Sequence, residues 1–226
     1  LSSGSGTKTI RAWVKDKCGN LSGVRTLSLD YWDQSQIPTI ALFQFSGGGP
    51  GAQSGYTATN PVDLSLLPNA YGTAWLVTNS ASTPVKGDSG WIAYAAGSGE
   101  VGLSYTLPDT EGSHRLYAWA KNAIGQIQSV GRLSIDIYYD KHDPTVDAFT
   151  RTSASPAGSR TVAFTLSESD VGSGVAAWLV NESPTKPSAS SGSWLSAAPS
   201  SFSVESAGDG SKTLYAWVKD RSGRVS

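Results

Sequence analysis

One seven-residue phrase occurs three times along this chain. The copies are IRAWVKD at 10–16, LYAWAKN at 116–122 and LYAWVKD at 214–220. The second begins 106 residues after the first and the third 98 residues after the second, and a glycine follows each copy within three residues. A period of about 100 residues is too long for a solenoid and matches whole domains joined in tandem. We therefore expect a string of similar domains.

The sequence around the phrase repeats as well. Segment 23–30 matches 129–136, segment 62–66 matches 162–166, and Trp91 matches Trp194. Within 62–66 apolar and polar residues alternate, which is typical of a half-buried strand. Gly, Pro and Ser interrupt the chain about every 8 to 15 residues, and no window shows helical periodicity. This pattern predicts an all-β chain of antiparallel sandwiches with about seven strands per domain.

The repeated phrase itself reads as a strand with two different faces. The alternation assigns the face bearing Leu116, Ala118 and Ala120, with its equivalents in the other copies, to the core. The opposite face carries the tryptophan and lysine of each copy, and the alternative that this face is the true core stays open. The equivalent core-face residues of the other copies are Ile10, Ala12, Val14, Leu214, Ala216 and Val218.

The repeats divide the chain into three parts. Residues 1–30 hold only the last strands of a preceding repeat, 37–137 form a complete domain, and 143–226 form a domain that lacks its last strand. Three explanations for that absence stay open: the chain was cut there, later residues are disordered, or another molecule supplies the strand. The last of these predicts a head-to-tail fibre built by strand donation between identical subunits. The chain has no Met, so we expect it to be a piece of something longer.

The composition excludes several classes of partner. Only 15% of the residues are charged and the net charge is -1, so nothing draws the chain to nucleic acid or to an anionic membrane. No apolar run is long enough to insert into a membrane. The single cysteine, Cys18, cannot form a disulfide within the chain.

Two segments carry a family resemblance. YAWVKDRSGRVS at 215–226 and AWLVNESPTKPS at 177–188 resemble bacterial immunoglobulin-like repeats, including those near the fibronectin type III and Big-type groups. The resemblance implies tandem immunoglobulin-like β-sandwiches and an extracellular or bacterial cell-surface location. Such repeats serve as spacers in adhesins, as stalks of fibre proteins and as appendages of secreted hydrolases, so the fold alone does not choose among them.

A search for chemistry finds no catalytic constellation. His114 takes the place of Lys8 and Lys212 in the other copies, which indicates a solvated turn, and no serine lies in a G-x-S-x-G motif. Carboxylate pairs such as Glu182 and Asp220 do not rise above chance. We expect no enzyme activity and no cofactor.

The linker before the last domain is rich in acids. Asp136, Asp140 and Asp143 lie within eight residues, and several carboxylate oxygens are what Ca²⁺ prefers. One interpretation is a calcium site that stiffens the hinge. The other is a surface linker whose acids are simply solvated, with Lys141 among them.

Tryptophans are the remaining candidates for binding. Trp13, Trp119 and Trp217 occur at the same place in each copy, beside a lysine. They form either a packed aromatic layer on the outer sheet face or a platform for glycan rings. Trp32 has no counterpart tryptophan and is predicted to wedge between domains.

These observations predict a structural spacer or adhesive module of a bacterial surface or secreted protein, with a fibre subunit as a further form. The alternative is a carbohydrate-binding accessory module of a secreted hydrolase. The expected partners are other domains of the same chain, identical subunits and glycans, with no nucleic acid and no cofactor.

Overall fold

The chain is all-β wherever the structure describes it. This computed structural model describes residues 4, 6–31, 33, 35–129 and 131–226. The first hairpin consists of β1 (Gly6–Ala12) and β2 (Arg25–Tyr31). A middle unit contains β3 (Ile40–Phe45), β4 (Tyr56–Thr57), β5 (Val62–Pro68), β6 (Ala74–Thr78), β7 (Ile92–Ala93), β8 (Val101–Tyr105), β9 (Gly112–Lys121) and β10 (Leu133–Tyr139). A C-terminal unit contains β11 (Thr145–Arg151), β12 (Thr161–Ser169), β13 (Val175–Asn181), β14 (Ser201–Ser203) and β15 (Tyr215–Asp220).

Each sheet among the described residues takes its strands from one of these parts alone. In the middle unit the sheets are β4-β10-β9-β6-β7 and β3-β5-β8. In the C-terminal unit they are β11-β12-β14 and β13-β15. Two sheets per unit form the β-sandwich that the sequence predicts. The boundaries 1–30, 37–137 and 143–226 remain our interpretation of the repeat.

The core of the middle unit lies between its two sheets. On β5 the alternate residues Val62, Leu64 and Leu66 are at most 2% exposed. They belong to one buried cluster with the core-face residues of β9 and with Ile137 of β10. Full burial of each such aliphatic side chain stabilises the fold by about 1.5–3 kcal/mol. The predicted core face of 116–122 is therefore correct in this unit.

The turn after the repeated phrase has one geometry in all three copies. Isolated bridges join Lys15 to Leu21, Lys121 to Ile127 and Lys219 to Val225. The turn glycines Gly19, Gly125 and Gly223 all have positive φ, at 93°, 81° and 91°. Only glycine adopts that conformation without strain, which explains why each copy carries one.

Some details differ from the sequence prediction. β4 pairs in parallel with β10, because the chain crosses from one sheet to the other after β3 and then runs beside β10. The middle unit has eight strands, two of them only two residues long, and the described C-terminal unit has five. Ile10 is 43% exposed, contrary to its predicted place in a core, because the described residues offer the first hairpin no second sheet to cover it.

Among the described residues, none belongs to a helix that is long and apolar enough to cross a lipid bilayer.

Candidate functional site: an acidic cluster where the two units meet

The loops of the middle and C-terminal units touch directly. The Gln53 amide donates to the carbonyl of Arg221 over 2.7 Å. The hydroxyl of Tyr138, on β10, donates to the Gly172 carbonyl over 3.3 Å. Most of these bonds involve backbone atoms, so loop shape rather than side-chain identity sets the fit.

Arg224 ties three segments together. Its guanidinium donates to the carbonyl of Asp140 over 3.2 Å and to the carbonyl of Ala58 over 3.3 Å. It also forms an ion pair with Asp143 at 3.0 Å. One partly buried side chain of the C-terminal unit thus bonds both the linker and the middle unit.

Three aspartates gather beside Arg224. Asp140 lies at the end of β10, Asp170 just after β12, and Asp220 is the last residue of β15. One oxygen from each lies within 4.8 Å of the other two. Asp140 and Asp220 are fully buried, while Asp170 is partly exposed. We call these three residues the acidic cluster.

Neutral groups donate the hydrogen bonds that the acidic cluster receives. The Asp140 carboxylate accepts hydrogen bonds from the backbone amides of His142 and Ser173, at 3.0 and 2.7 Å. Asp170 accepts the amide of Gly174. Asp220 Oδ1 accepts the Ser222 hydroxyl at 2.9 Å and the Arg224 amide at 2.8 Å. Among the described residues, no lysine or arginine side chain bonds to any of these carboxylates.

Two oxygens of the cluster are buried without a hydrogen-bond partner. They are Asp170 Oδ1 and Asp220 Oδ2. A buried polar atom with no partner is uncommon and costs free energy, more so when the group is charged.

The other two copies of the turn show why the second carboxylate oxygen of Asp220 has no hydrogen-bond partner. Asp16 uses its second oxygen to accept the side-chain amide of Asn20 at 2.8 Å. Asn122 takes the place of Asp220 in the middle unit and donates its side-chain amide to Gln126 at 3.0 Å. The residue four positions on is Arg224 in the third copy, and its guanidinium bonds elsewhere.

Burial and like charge shift the titration of the cluster. Desolvation raises the pKa of Asp220 to about 6, from an ordinary value of 3.8, and Asp140 and Asp170 raise it further against the lowering by its hydrogen bonds. Desolvation, followed by the charges of Glu111 and Asp140, also raises the pKa of Tyr138. Both shifts come first from burial, and the charges of the neighbouring carboxylates add to them.

Of the three linker acids predicted to bind calcium, only Asp140 belongs to the acidic cluster. Asp136 forms a two-bond ion pair with Arg115, at 2.6 and 2.7 Å, on the exposed face of the sheet. That pairing lowers the pKa of Asp136. Asp143 pairs with Arg224 instead. Closeness along the linker did not bring these carboxylates together, because an extended chain rises about 3.3 Å per residue and so separates positions 136 and 140 by about 13 Å.

A second group of possible ligands shares Asp140. Glu111 and His142 lie with it, again within 4.8 Å. Here, however, the imidazole of His142 and the carboxylate of Glu111 bond to each other, and His142 is mostly exposed. This group leaves neither side chain without a partner, so it gives no separate reason to expect an ion.

In both units the lysine of the repeated phrase packs against a tryptophan that lies outside the phrase. We call this pair the clamp. Lys121 Nζ lies 4.6 Å from the centre of the Trp91 ring and donates to the Lys86 carbonyl at 2.9 Å. In the C-terminal unit, Lys219 Nζ lies 5.3 Å from the Trp194 ring and donates to the Ala189 carbonyl at 2.8 Å. Both units therefore use the same cation–π contact to fix a long loop on the sheet.

The tryptophans of the repeated phrase do not form an exposed row. Trp119 is 1% exposed, with its indole N–H donating to Thr78 and the Arg132 guanidinium 4.9 Å from its ring. Trp217 is partly buried, and only Trp13, at 54%, is open to solvent. Trp32 lies outside the described residues.

Two members of the acidic cluster were missed from the sequence. Asp170 lies in an ordinary-looking loop, and Asp220 was considered only as one of many carboxylates. The available signal was the change at the fourth residue after the phrase: Asn20 and Gln126 can satisfy the aspartate or asparagine before them, and Arg224 does not.

Comparisons with known proteins find a distant structural similarity. No protein-family model matches the chain, and neither does any curated protein. A solved structure of fibronectin(III)-like modules of CbhA from Clostridium thermocellum is similar, with 13% identity and a TM-score of 0.42. The match covers 82% of this chain and 89% of that one. At that TM-score the likeness carries no argument about function.

Proposed function

We propose that this chain is a structural spacer whose β-sandwich units are held in a fixed relative orientation, as part of an extracellular or bacterial surface protein. The observation that carries the proposal is the junction itself. The Arg224 side chain bonds the linker at the Asp140 carbonyl, the middle unit at the Ala58 carbonyl, and the carboxylate of Asp143. A flexible tether would need none of these contacts.

The backbone supports the same function. Long-range antiparallel pairing, such as the ten-residue β9 between β6 and β10, resists separation because its bonds break cooperatively. Pro144, buried at the start of the C-terminal unit, restricts φ and so limits hinge freedom. Display of another domain at a fixed distance is the use that these features favour.

The experiment is a distance measurement between the units. Spin labels at Ser104→Cys and Ser167→Cys, in a Cys18→Ser background, sit on exposed strand positions of the two units. We expect a single narrow distance distribution, and a broader one in Arg224→Ala.

Arg160→Ala is the matched control. Arg160 also donates to three carbonyls, of Val204, Glu205 and Ser206, but all lie within the C-terminal unit. It should leave the distribution unchanged. A broad distribution in the unaltered chain contradicts the spacer proposal.

The carbohydrate-binding alternative receives little support, because its platform requires exposed aromatic rings and Trp119 is buried. The absence of enzyme activity stays a prediction, since no observation tests it. Assembly by strand donation also stays a prediction, and its measurement is the oligomeric state at high concentration. In the described C-terminal unit β15 pairs with β13 alone, whereas β9 lies between two strands.

A further inference from the structure

We propose that Asp140, Asp170 and Asp220 bind a divalent cation of the calcium type at the junction between the two units. The site itself does not depend on the proposed spacer function; its effect on stiffness does.

The three carboxylates lie close enough together to share one ion. Calcium–oxygen bonds are about 2.3–2.6 Å long, so oxygens up to about twice that distance apart can share one ion. The three carboxylates meet that condition, with one oxygen from each within 4.8 Å of the others. All the side-chain ligands are oxygens, which favours a hard cation over zinc or copper.

Two oxygens of the acidic cluster are buried and unpartnered, which is an observation separate from the clustering. Asp220 is fully buried, and its Oδ2 has no hydrogen-bond partner. Asp170 Oδ1 is buried and unpartnered in the same way. The side chains of Asp170 and Asp220 therefore each use one carboxylate oxygen to fix their own loop, and the second oxygen of each has no hydrogen-bond partner. Such an arrangement is typical of a ligand held in place before the ion arrives.

The negative charge of the three carboxylates is not balanced by a bonded cationic side chain among the described residues. Three carboxylates lie together, and the described residues supply only amides and a hydroxyl to them. Burying unpaired carboxylates is costly, and a divalent ion offsets most of that charge. Arg224 does not take this role, because it bonds the backbone carbonyl of Asp140 rather than its carboxylate.

The acidic cluster is accessible beside Asp170 and closely packed around Asp140. Asp170 is partly exposed and is followed by Val171, which is 83% exposed, so an ion can enter from that side. The backbone of Gly172 lies against Asp140. A Cβ at position 172 would lie 2.2 Å from Asp140 Oδ1, so only glycine allows this approach. Water and backbone carbonyls complete the six to eight ligands that calcium takes.

The ion would join elements that are otherwise far apart in sequence. Asp140 belongs to the linker after the middle unit, and the other two residues belong to the C-terminal unit. One ion bound by all three fixes the linker onto the C-terminal unit, beside the bonds of Arg224.

Calorimetric titration of the whole 226-residue chain, first freed of metal, tests the site. We expect one Ca²⁺ per chain with a dissociation constant between about 10⁻⁶ and 10⁻³ M, and a rise in the melting temperature at saturation. Mg²⁺ should bind more weakly, because it demands a tighter octahedron. No calcium heat and no thermal shift up to about 10 mM, tenfold beyond that range, would overturn the proposal.

Variants separate this ligand set from others. Asp170→Asn and Asp220→Asn should weaken binding at least about tenfold, because each removes a charged ligand. Asp136→Asn and Asp143→Asn are the matched controls, since both acids bond arginines outside the cluster, and they should bind as the unaltered chain does. Retained affinity in Asp170→Asn and Asp220→Asn, or a loss in Asp136→Asn, overturns the assignment. A folding defect is recognised by melting in EDTA, where Asp220→Asn should be at least as stable as the unaltered chain.

The spin labels at positions 104 and 167 test whether calcium stiffens the junction between the units. Calcium should make the narrow distance distribution of the unaltered chain narrower than it is in EDTA, and it should leave the distribution of Asp220→Asn unchanged. Calcium binding with no narrowing upholds the site and overturns its role in stiffening. A distribution that is already narrow in EDTA, while calcium fails to bind, upholds the spacer and overturns the site.

Discussion

The carboxylates of Asp170 and Asp220 come within 4.8 Å of each other, and each contributes one buried oxygen that has no hydrogen-bond partner. Fifty residues separate the two along the chain. Their meeting point, where the two units touch, is where the fold stores uncompensated negative charge, and several measurable consequences follow from it.

In metal-free buffer at pH 7, Asp220→Asn should raise the free energy of unfolding by about 1–3 kcal/mol. The substitution removes a buried charge next to two others, and an asparagine already occupies this place in the middle unit. Urea denaturation in EDTA measures the change. Asp209→Asn, at an exposed loop position, is the control and should have no effect; destabilisation by Asp220→Asn would contradict the electrostatic account.

The contribution of Asp220 to the stability of the metal-free chain should fall as pH rises from about 4 to above 6. The Asp220 carboxyl has its pKa raised to about 6 by burial and by Asp140 and Asp170, so it binds its proton more tightly folded than unfolded. The contribution is therefore full below pH 4 and lost as the pH passes 6, and it amounts to about 3 kcal/mol. The groups that donate hydrogen bonds to this carboxyl are the hydroxyl of Ser222 and the backbone amide of Arg224.

The measurement is the urea midpoint of the unaltered chain and of Asp220→Asn at several pH values in EDTA. The difference between the two proteins isolates Asp220 from every other titrating group. A difference that does not change between pH 4 and pH 7 would count against the raised pKa.

Removing the clamp lysine should destabilise the C-terminal unit. Lys219→Met keeps the aliphatic stem but loses both the cation–π contact with Trp194 and the bond to the Ala189 carbonyl, and we expect a loss of about 1–2 kcal/mol. Lys121→Met should have a similar effect on the middle unit. Lys212→Met is the control, because Lys212 is exposed and makes only one local bond, to Ala207. Equal stability of Lys219→Met and Lys212→Met would show that the clamp contributes nothing.

Substituting the turn glycines should separate turn strain from contact between the units. Gly19→Ala, Gly125→Ala and Gly223→Ala all place a side chain at positive φ, at a cost of about 1–2 kcal/mol. At Gly223 the new Cβ also lies 2.6 Å from the Pro50 carbonyl oxygen of the middle unit, whereas at Gly19 its nearest atom is 3.8 Å away. Gly223→Ala should therefore cost more than Gly19→Ala and broaden the distance distribution between the units. The same loss in both variants would mean that the contact with Pro50 adds nothing.

Trp119→Ala tests the packed layer against the glycan platform. Because Trp119 is 1% exposed, its removal should cost about 3–5 kcal/mol, measured by denaturation. Trp13→Ala, at 54% exposure, should cost little. If neither substitution changes stability and both reduce binding on a glycan array, the platform interpretation is the right one.

Periodicity in the sequence was enough to predict the strands and the sandwich. Alternation along 62–66 and 116–120 reports which side of a strand is apolar, and apolar faces must meet in a core. The three turn glycines were predictable for the same local reason, since a tight turn at positive φ requires glycine. The choice between the packed layer and the glycan platform was not predictable for Trp119, because its cover comes from Thr78 on β6 and from Arg132 just before β10.

The acidic cluster shows most clearly what could not be predicted from the sequence. The sequence determined that the linker carries acids and that each phrase ends in Asp or Asn followed by a glycine turn. It could not determine that Asp136 and Asp143 would pair with arginines, or that Asp170 would join Asp140 and Asp220. Those outcomes depend on the direction of each side chain from its strand and on how loops from two units fit together. Local sequence fixes neither, because both are set by contacts between residues far apart along the chain.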